Sequence, residues 1–169
     1  MRVLATILAA FTVAVAALPA QQSAGSIDPP TAASVLLQAQ GDGVQIYICT
    51  AQQTQQKWVL KAPDAKLLDA SGSAIGTHFA GPTWKLTDGS QVQGELMASK
   101  PAPESGSIPW LLLRAKPASA SGKLASVAFI RRTDTHGGVA PSTGCQDPAD
   151  VGQTSRIPYT AAYTFYTLR

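Results

Sequence analysis

The order of apolar and polar positions along the chain reads as strand over most of its length. Residues 43–49 alternate and are rich in β-branched side chains, which predicts a strand with Val44, Ile46 and Ile48 on one face. Residues 57–60 form a second short candidate, and Asp69, Ala70, Ser71 and Gly72 form a turn. Strands expected at 75–79 and 83–86 flank Ala80, Gly81 and Pro82. A hairpin turn follows at Thr87, Asp88, Gly89 and Ser90, whose Asp-Gly pair tolerates the positive φ angles of a type I′ turn. The returning strand is 91–97, with Val92 and Leu96 inward. Residues 108–114 are apolar on both alternating faces, which predicts a central strand buried on both sides. Strands are also expected at 124–132 and 159–168, with a long Gly- and Pro-containing loop at 133–150. The one helix-like stretch is 32–38. Short strands separated by turn residues predict an all-β fold, a single antiparallel β-sandwich or barrel-like domain with long loops and at most one short helix.

The N-terminus has a different pattern. Met1 and Arg2 precede an uncharged, Ala-rich run from Val3 to Leu18, which ends at Pro19 and Ala20 before polar Gln21 and Gln22. A basic start, an apolar core and a small residue at the cut point describe a signal peptide over 1–20, cleaved after Ala20. A membrane anchor is the alternative, and the run falls just short of spanning length. The expected mature part is 21–169, with 21–30 a flexible lead-in, and its address is secreted, either extracellular or periplasmic. No membrane insertion of the mature part is expected.

Loss of Arg2 with the leader takes the net charge from +3 to +2. The basic residues are scattered, and only Arg131 and Arg132 are adjacent. Nucleic-acid binders concentrate charge into a stripe with aromatic platforms, so no nucleic-acid partner is expected. Two cysteines remain, Cys49 and Cys145. An even count in an oxidising compartment reads first as a disulfide, and two free buried thiols are the alternative.

Several blocks resemble one family. They are residues 43–49 (GVQIYIC), 78–84 (HFAGPTW), 88–90 (DGS), 108–112 (IPWLL), 130–138 (IRRTDTHGG), the stretch from Pro141 to Cys145, and 158–163 (PYTAAY). In this order they are similar to the domain of unknown function 3455. The resemblance implies a secreted protein of bacteria or fungi with no established activity. Some fungal relatives carry a malate-dehydrogenase label, but here no Gly-x-Gly-x-x-Gly follows a strand and no βαβ pattern is present.

Candidate chemistry rests on few residues. His78 has the opposite strand parity from Ile75 and Phe79, and reads either as a cleft residue or as a histidine satisfied by backbone groups beside the Gly-Pro turn. His136 sits in a Gly-rich loop with Asp134 nearby. Trp84 and Trp110 lie at strand rims close to prolines, and could stack on a flat ligand or be core with each indole N–H on a carbonyl. Arg131 and Arg132 point to opposite faces of their strand, and one could clamp an anion. Two histidines, with both cysteines in a bridge, fall short of a metal ligand set, so neither metal nor cofactor is expected. No serine lies in a Gly-x-Ser-x-Gly elbow. The candidate binding set is therefore His78, Trp84, Trp110, Arg131, Arg132, Asp134 and His136, with no residue assigned as catalytic. The leading expectation is a non-catalytic binding module for a glycan, an envelope component or a small ligand. An extracellular structural or interaction protein is one alternative, and a hydrolase-like enzyme using His78 and His136 is the other. Oligomeric state is left open.

Overall fold

Each strand pairs with the next in the chain, through short turns over the first five strands and through longer connections after them. The computed structural model describes residues 25–169 apart from Thr54, and the expected leader at 1–20 lies outside the described residues. The strands are β1 (Ala33–Gln52), β2 (Gln55–Leu68), β3 (Ala74–Phe79), β4 (Thr83–Leu86), β5 (Gln91–Lys100), β6 (Trp110–Pro117), β7 (Phe129–Gly137) and β8 (Thr154–Leu168). All neighbours are antiparallel, and β8 pairs back onto β1 from Ala33–Leu168 to Ile48–Thr154, which closes the sheet into a ring. Closure satisfies the edge hydrogen bonds that an open sheet would expose. The all-β, antiparallel, barrel-like expectation is borne out.

Alternation places one set of side chains inside the ring. Leu67, Trp84, Val92, Ile130, Tyr163 and Phe165 are all at most 1% exposed and belong to one apolar cluster. On β1, Val44, Ile46 and Ile48 do share a face, but it is only half-buried. The deeper face carries Gln45, Tyr47 and Cys49. Leu112 and Leu113 on β6 are both buried, as expected of a strand covered on two sides.

Four local expectations need correction. Residues 33–38 are strand, because all but Leu36 pair with β8. An isolated helix of that length is marginal, and the ladder offers the same backbone groups better partners. Among the described residues the only helical turns are two of 3₁₀ type, Lys123–Ser126 and Pro148–Asp150. The first displaces the expected start of the next strand, which runs instead from Phe129 to Gly137. At 86–90 only Gly89 has positive φ (85°), its N–H reaches Leu86 O at 3.0 Å, and Leu86 N–H reaches Ser90 O at 2.9 Å. This is the bonding of a four-residue turn followed by a glycine bulge, and a type I′ turn would need positive φ at Asp88 as well. Finally, Val92 is inward but Leu96 is 60% exposed, next to a register shift between Leu96 and Ala98.

The long connection after β7 is fastened to β1 and β2. Cys49 and Cys145 form a disulfide with a Cα–Cα distance of 5.6 Å. Gly152 N–H donates to Cys49 O, Cys49 N–H to Gln153 O, and Trp58 Nε1–H to Thr143 O, each at 2.9 Å. Tyr47 Oη donates to Gly138 O at 2.6 Å. The bridge spans 96 residues, so it removes much loop entropy from the unfolded chain. Replacing both cysteines by alanine should cost roughly 2–4 kcal/mol in urea unfolding. An unchanged midpoint would show that the hydrogen bonds alone hold the loop.

Candidate functional site

The ring wall is low on one side. β3 has six residues and β4 four, and β3 pairs with β2 only over Ala65–Leu68. The preceding part of β2 is therefore not covered by β3, and the interior opens there. A cavity of about 240 Å³ enters between Leu60, Lys61, Ala62 and Pro63 on β2 and Gly81 and Pro82 in the β3–β4 turn. Inside, Gln45, His78, Trp84, Arg132 and Tyr163 line it together with Leu111 and Leu113.

Register brings the aromatic groups together. His78 lies opposite Trp84 in the β3–β4 pair, and the rings stack at 4.2 Å with 10° between planes. Tyr163 meets both edge-on, at 5.2 Å from His78 and 5.5 Å from Trp84. Two glycines leave room for these rings. A Cβ on Gly41 would lie 2.5 Å from Tyr163 Cε2, and one on Gly94 would lie 3.1 Å from Trp84 Cζ3.

His78 is 3% exposed, and its Nδ1 is 2.9 Å from Thr83 O. A carbonyl only accepts, so Nδ1 carries the proton and Nε2 presents a lone pair when the ring is neutral. Burial pushes the His78 pKa down to about 4, the nearby Arg132 charge acts in the same direction, and the Thr83 hydrogen bond opposes both. The imidazole is therefore neutral at pH 7. Burial likewise raises the hydroxyl pKa values of Tyr47, Tyr159 and Tyr163, against the lowering pull of Arg132. Tyr159 and Tyr163 hydroxyls lie 3.2 Å apart. The phenols thus stay protonated, and Arg132 is the permanent charge inside. Its Nε and Nη2 donate to Pro109 O at 3.1 and 2.7 Å, which holds the guanidinium in place.

Two buried polar atoms here have no partner among the described residues, Gln45 Oε1 and Trp84 Nε1. The carbonyl partner expected of a core indole N–H is therefore absent, among the described residues, at both Trp84 and Trp110, and the Trp84 ring is fixed by stacking instead. For His78, the backbone-satisfied reading describes one ring nitrogen, Nδ1.

The sequence-derived candidates divide among three places. His78, Trp84 and Arg132 share the inner cavity. Trp110 and Arg131 line a different cavity, with Lys100 and Asp28. His136 is exposed and its Nδ1 contacts Glu104 Oε2. Asp134 has a φ of 46° at the register shift between Thr133 and His136, and accepts from Thr133 Oγ1 at 2.9 Å. His78 and His136 thus have separate partners, and among the described residues neither hydrogen-bonds to a serine. Ser90 Oγ donates to Asp88 Oδ1 at 2.6 Å and accepts from Leu124 N–H at 3.1 Å, which is turn and cap chemistry. Among the described residues no group of three or more His, Cys, Asp or Glu side chains could hold a metal ion.

Sequence reasoning did not single out Gln45, Lys61 or Tyr163. The available signal for Gln45 was a polar side chain inside the β-branched run 43–49, on the face opposite Val44 and Ile46.

A closed antiparallel sheet with an aromatic cavity entering through its wall defines the structural class. The chain belongs to the family described as protein of unknown function (DUF3455), which matches residues 29–167. No curated protein and no solved structure matches it.

The buried imidazole makes stability depend on pH. The unfolded His78 titrates near 6.5 and the folded one at about 4, so between these values only the unfolded chain takes up the proton. This contribution is complete above pH 6.5 and is lost as pH falls towards 4, by roughly 3 kcal/mol. Urea unfolding between pH 7 and 4.5 should show a shallower pH slope in His78→Gln than in the native protein. Equal slopes would mean that the native imidazole titrates as freely as it does in the unfolded chain.

Proposed function

We propose that the inner cavity binds a small organic ligand with a largely apolar, flat body and one polar end. The supporting observation is Gln45 Oε1, an unpartnered acceptor on a side chain 2% exposed and lining the cavity. A buried polar group without a hydrogen bond is costly, and evolution of a pure core would favour an apolar residue of the same shape. The lining matches a binding site in kind, with aromatic and aliphatic walls and a few convergent polar groups. Trp84, Leu111, Leu113 and Pro63 meet the apolar body. Gln45 Oε1 and His78 Nε2 accept from N–H or O–H groups of the ligand, and Arg132 favours an electron-rich or anionic end. The volume lies below the usual range for drug-sized ligands, so a monocyclic compound fits better than an extended glycan chain.

The leader at 1–20 and the disulfide support an exported protein acting outside the cytoplasm. An interaction protein of the cell exterior is the second reading, favoured by Leu96 and Met97, which stand 60% and 44% exposed on β5. The site has no paired nucleophile and base, so binding without turnover is the simpler account of its geometry.

The test is a thermal-shift series with benzoate, 4-hydroxybenzoate, benzamide and short fatty acids, on the native protein and on Gln45→Leu. A ligand at a hundred times its Kd should stabilise the native fold by about 2.7 kcal/mol. Gln45→Leu should lose that response while its own ligand-free stability stays equal or rises, since an unpaired buried acceptor has been removed. A less stable Gln45→Leu variant, together with no response from any compound, would show that Gln45 is ordinary core.

A further inference from the structure

The second cavity lies on the other side of the same strands. On β6, Leu111 and Leu113 face the inner cavity, so alternation turns Trp110 and Leu112 outward. On β7, Arg132 faces inward and Arg131 outward, paired in register with Leu112. Lys100 is the β5 neighbour of Trp110. Residues 25–30, ahead of β1, lie against this outer face as a strap. Ile27 in the strap is 5% exposed, and Asp28 Oδ1 lies 3.2 Å from Arg131 Nη2. Ser26 Oγ donates to Asp28 Oδ2 at 2.9 Å, and Asp28 N–H donates back to Ser26 Oγ at 3.1 Å, which orients the carboxylate. Strap and strands border an open cavity of about 300 Å³.

The polar groups around this space are unbalanced. Asp28 pairs with one nitrogen, Nη2, of the Arg131 guanidinium. The Arg131 Nε–H and the Trp110 Nε1–H are buried without an acceptor among the described residues. Lys100 lines the cavity and has no ion-pair partner among the described residues. The balance is two cations against one carboxylate, with two fixed N–H donors and a flexible ammonium left over. Donors of this kind are best satisfied by an oxygen-bearing anion, because hydrogen bonds to ionised acceptors are the stronger ones and a guanidinium edge fits carboxylate or phosphate geometry.

We propose that the outer cavity is an oxyanion site, in which Arg131 Nε–H, Trp110 Nε1–H and the Lys100 ammonium hold a carboxylate or phosphoryl group. The site is separate from the inner cavity and does not depend on what that cavity binds. Asp28 pairs with Nη2 of Arg131 and leaves the Nε–H for the ligand. It also repels the incoming anion, so it weakens the affinity that it helps to organise.

The test is calorimetric titration of the purified protein at low ionic strength with sodium phosphate and with sodium glucuronate, against sodium chloride as background. Saturable one-to-one binding of at least one is expected. Trp110→Phe keeps the ring and deletes the donor, and Lys100→Met keeps the stem and deletes the charge. Each should weaken binding about tenfold, the scale of one lost charge-assisted hydrogen bond. Asp28→Asn should act in the opposite direction and tighten it. Lys116→Met, whose ammonium pairs with Glu95 away from this cavity, should leave it unchanged. Phosphate binding alone assigns a phosphoryl group, and glucuronate binding alone assigns a sugar carboxylate. Absence of saturable binding of either, or binding undiminished in both Trp110→Phe and Lys100→Met, overturns the proposal.

Discussion

Pairing of β1 with β8 is the interaction on which the rest of the structure depends. These are the two longest strands, at 20 and 15 residues, and they lie at opposite ends of the sheet in chain order. Their ladder runs from Ala33–Leu168 to Ile48–Thr154 and converts an open meander into a ring. Without it, both would be edges with unpaired backbone groups, and the interior would lose the wall that carries Tyr159, Tyr163 and Phe165. Contacts between chain ends are expensive in loop entropy and bring their return only after the intervening strands have formed. The disulfide acts on the same region, tying the connection that leads into β8 back onto β1.

Closure also explains why an accessible cavity exists at all. A ring of eight strands has just enough interior for side chains to fill or for one small ligand. Here Leu67, Phe165, Val92 and Leu124 fill part of it, while the short β3–β4 hairpin leaves the β2 side uncovered. The polar groups exposed by that opening are kept compatible with burial in different ways. Arg132 is held by Pro109 O, His78 gives its proton-bearing nitrogen to Thr83 O, and the tyrosines share a hydroxyl contact. Gln45 Oε1 and Trp84 Nε1–H have no such arrangement among the described residues, and of the two Gln45 Oε1 is the acceptor.

Much of the architecture was legible in alternation and turn chemistry. The β1 centre, the Asp69 turn, the β3–β4 and β4–β5 hairpins and the doubly covered β6 all follow from local pattern. The helix expected at 32–38 failed because its backbone partners lie on β8, more than 120 residues away in sequence, and no local preference reports them. The turn at Gly89 was legible in place but not in type, since Asp-Gly serves both a type I′ turn and a glycine bulge. For the site, residue type was informative and proximity was not. His78, Trp84 and Arg132 were singled out, yet nothing in their spacing told that they meet each other and not His136 or Trp110. Their meeting depends on ring closure, which brings β3, β4, β7 and β8 around one space.

Arg131 and Arg132 show how one local rule divides this molecule. Adjacent residues on a strand point to opposite faces, and β7 has a different cavity on each. Inward, Arg132 is fixed by a carbonyl of the β6 lead-in and faces aromatic rings. Outward, Arg131 is held by Asp28 from a strap that precedes the first strand. The shared wall of β6 and β7 must therefore be apolar towards both sides, which is why Leu111, Leu112 and Leu113 occur in succession and why that segment read as doubly buried. A strand with one solvated face would have alternated. The continuous apolar run is thus the trace, in sequence, of the covered outer face that Arg131 and Trp110 share with the strap.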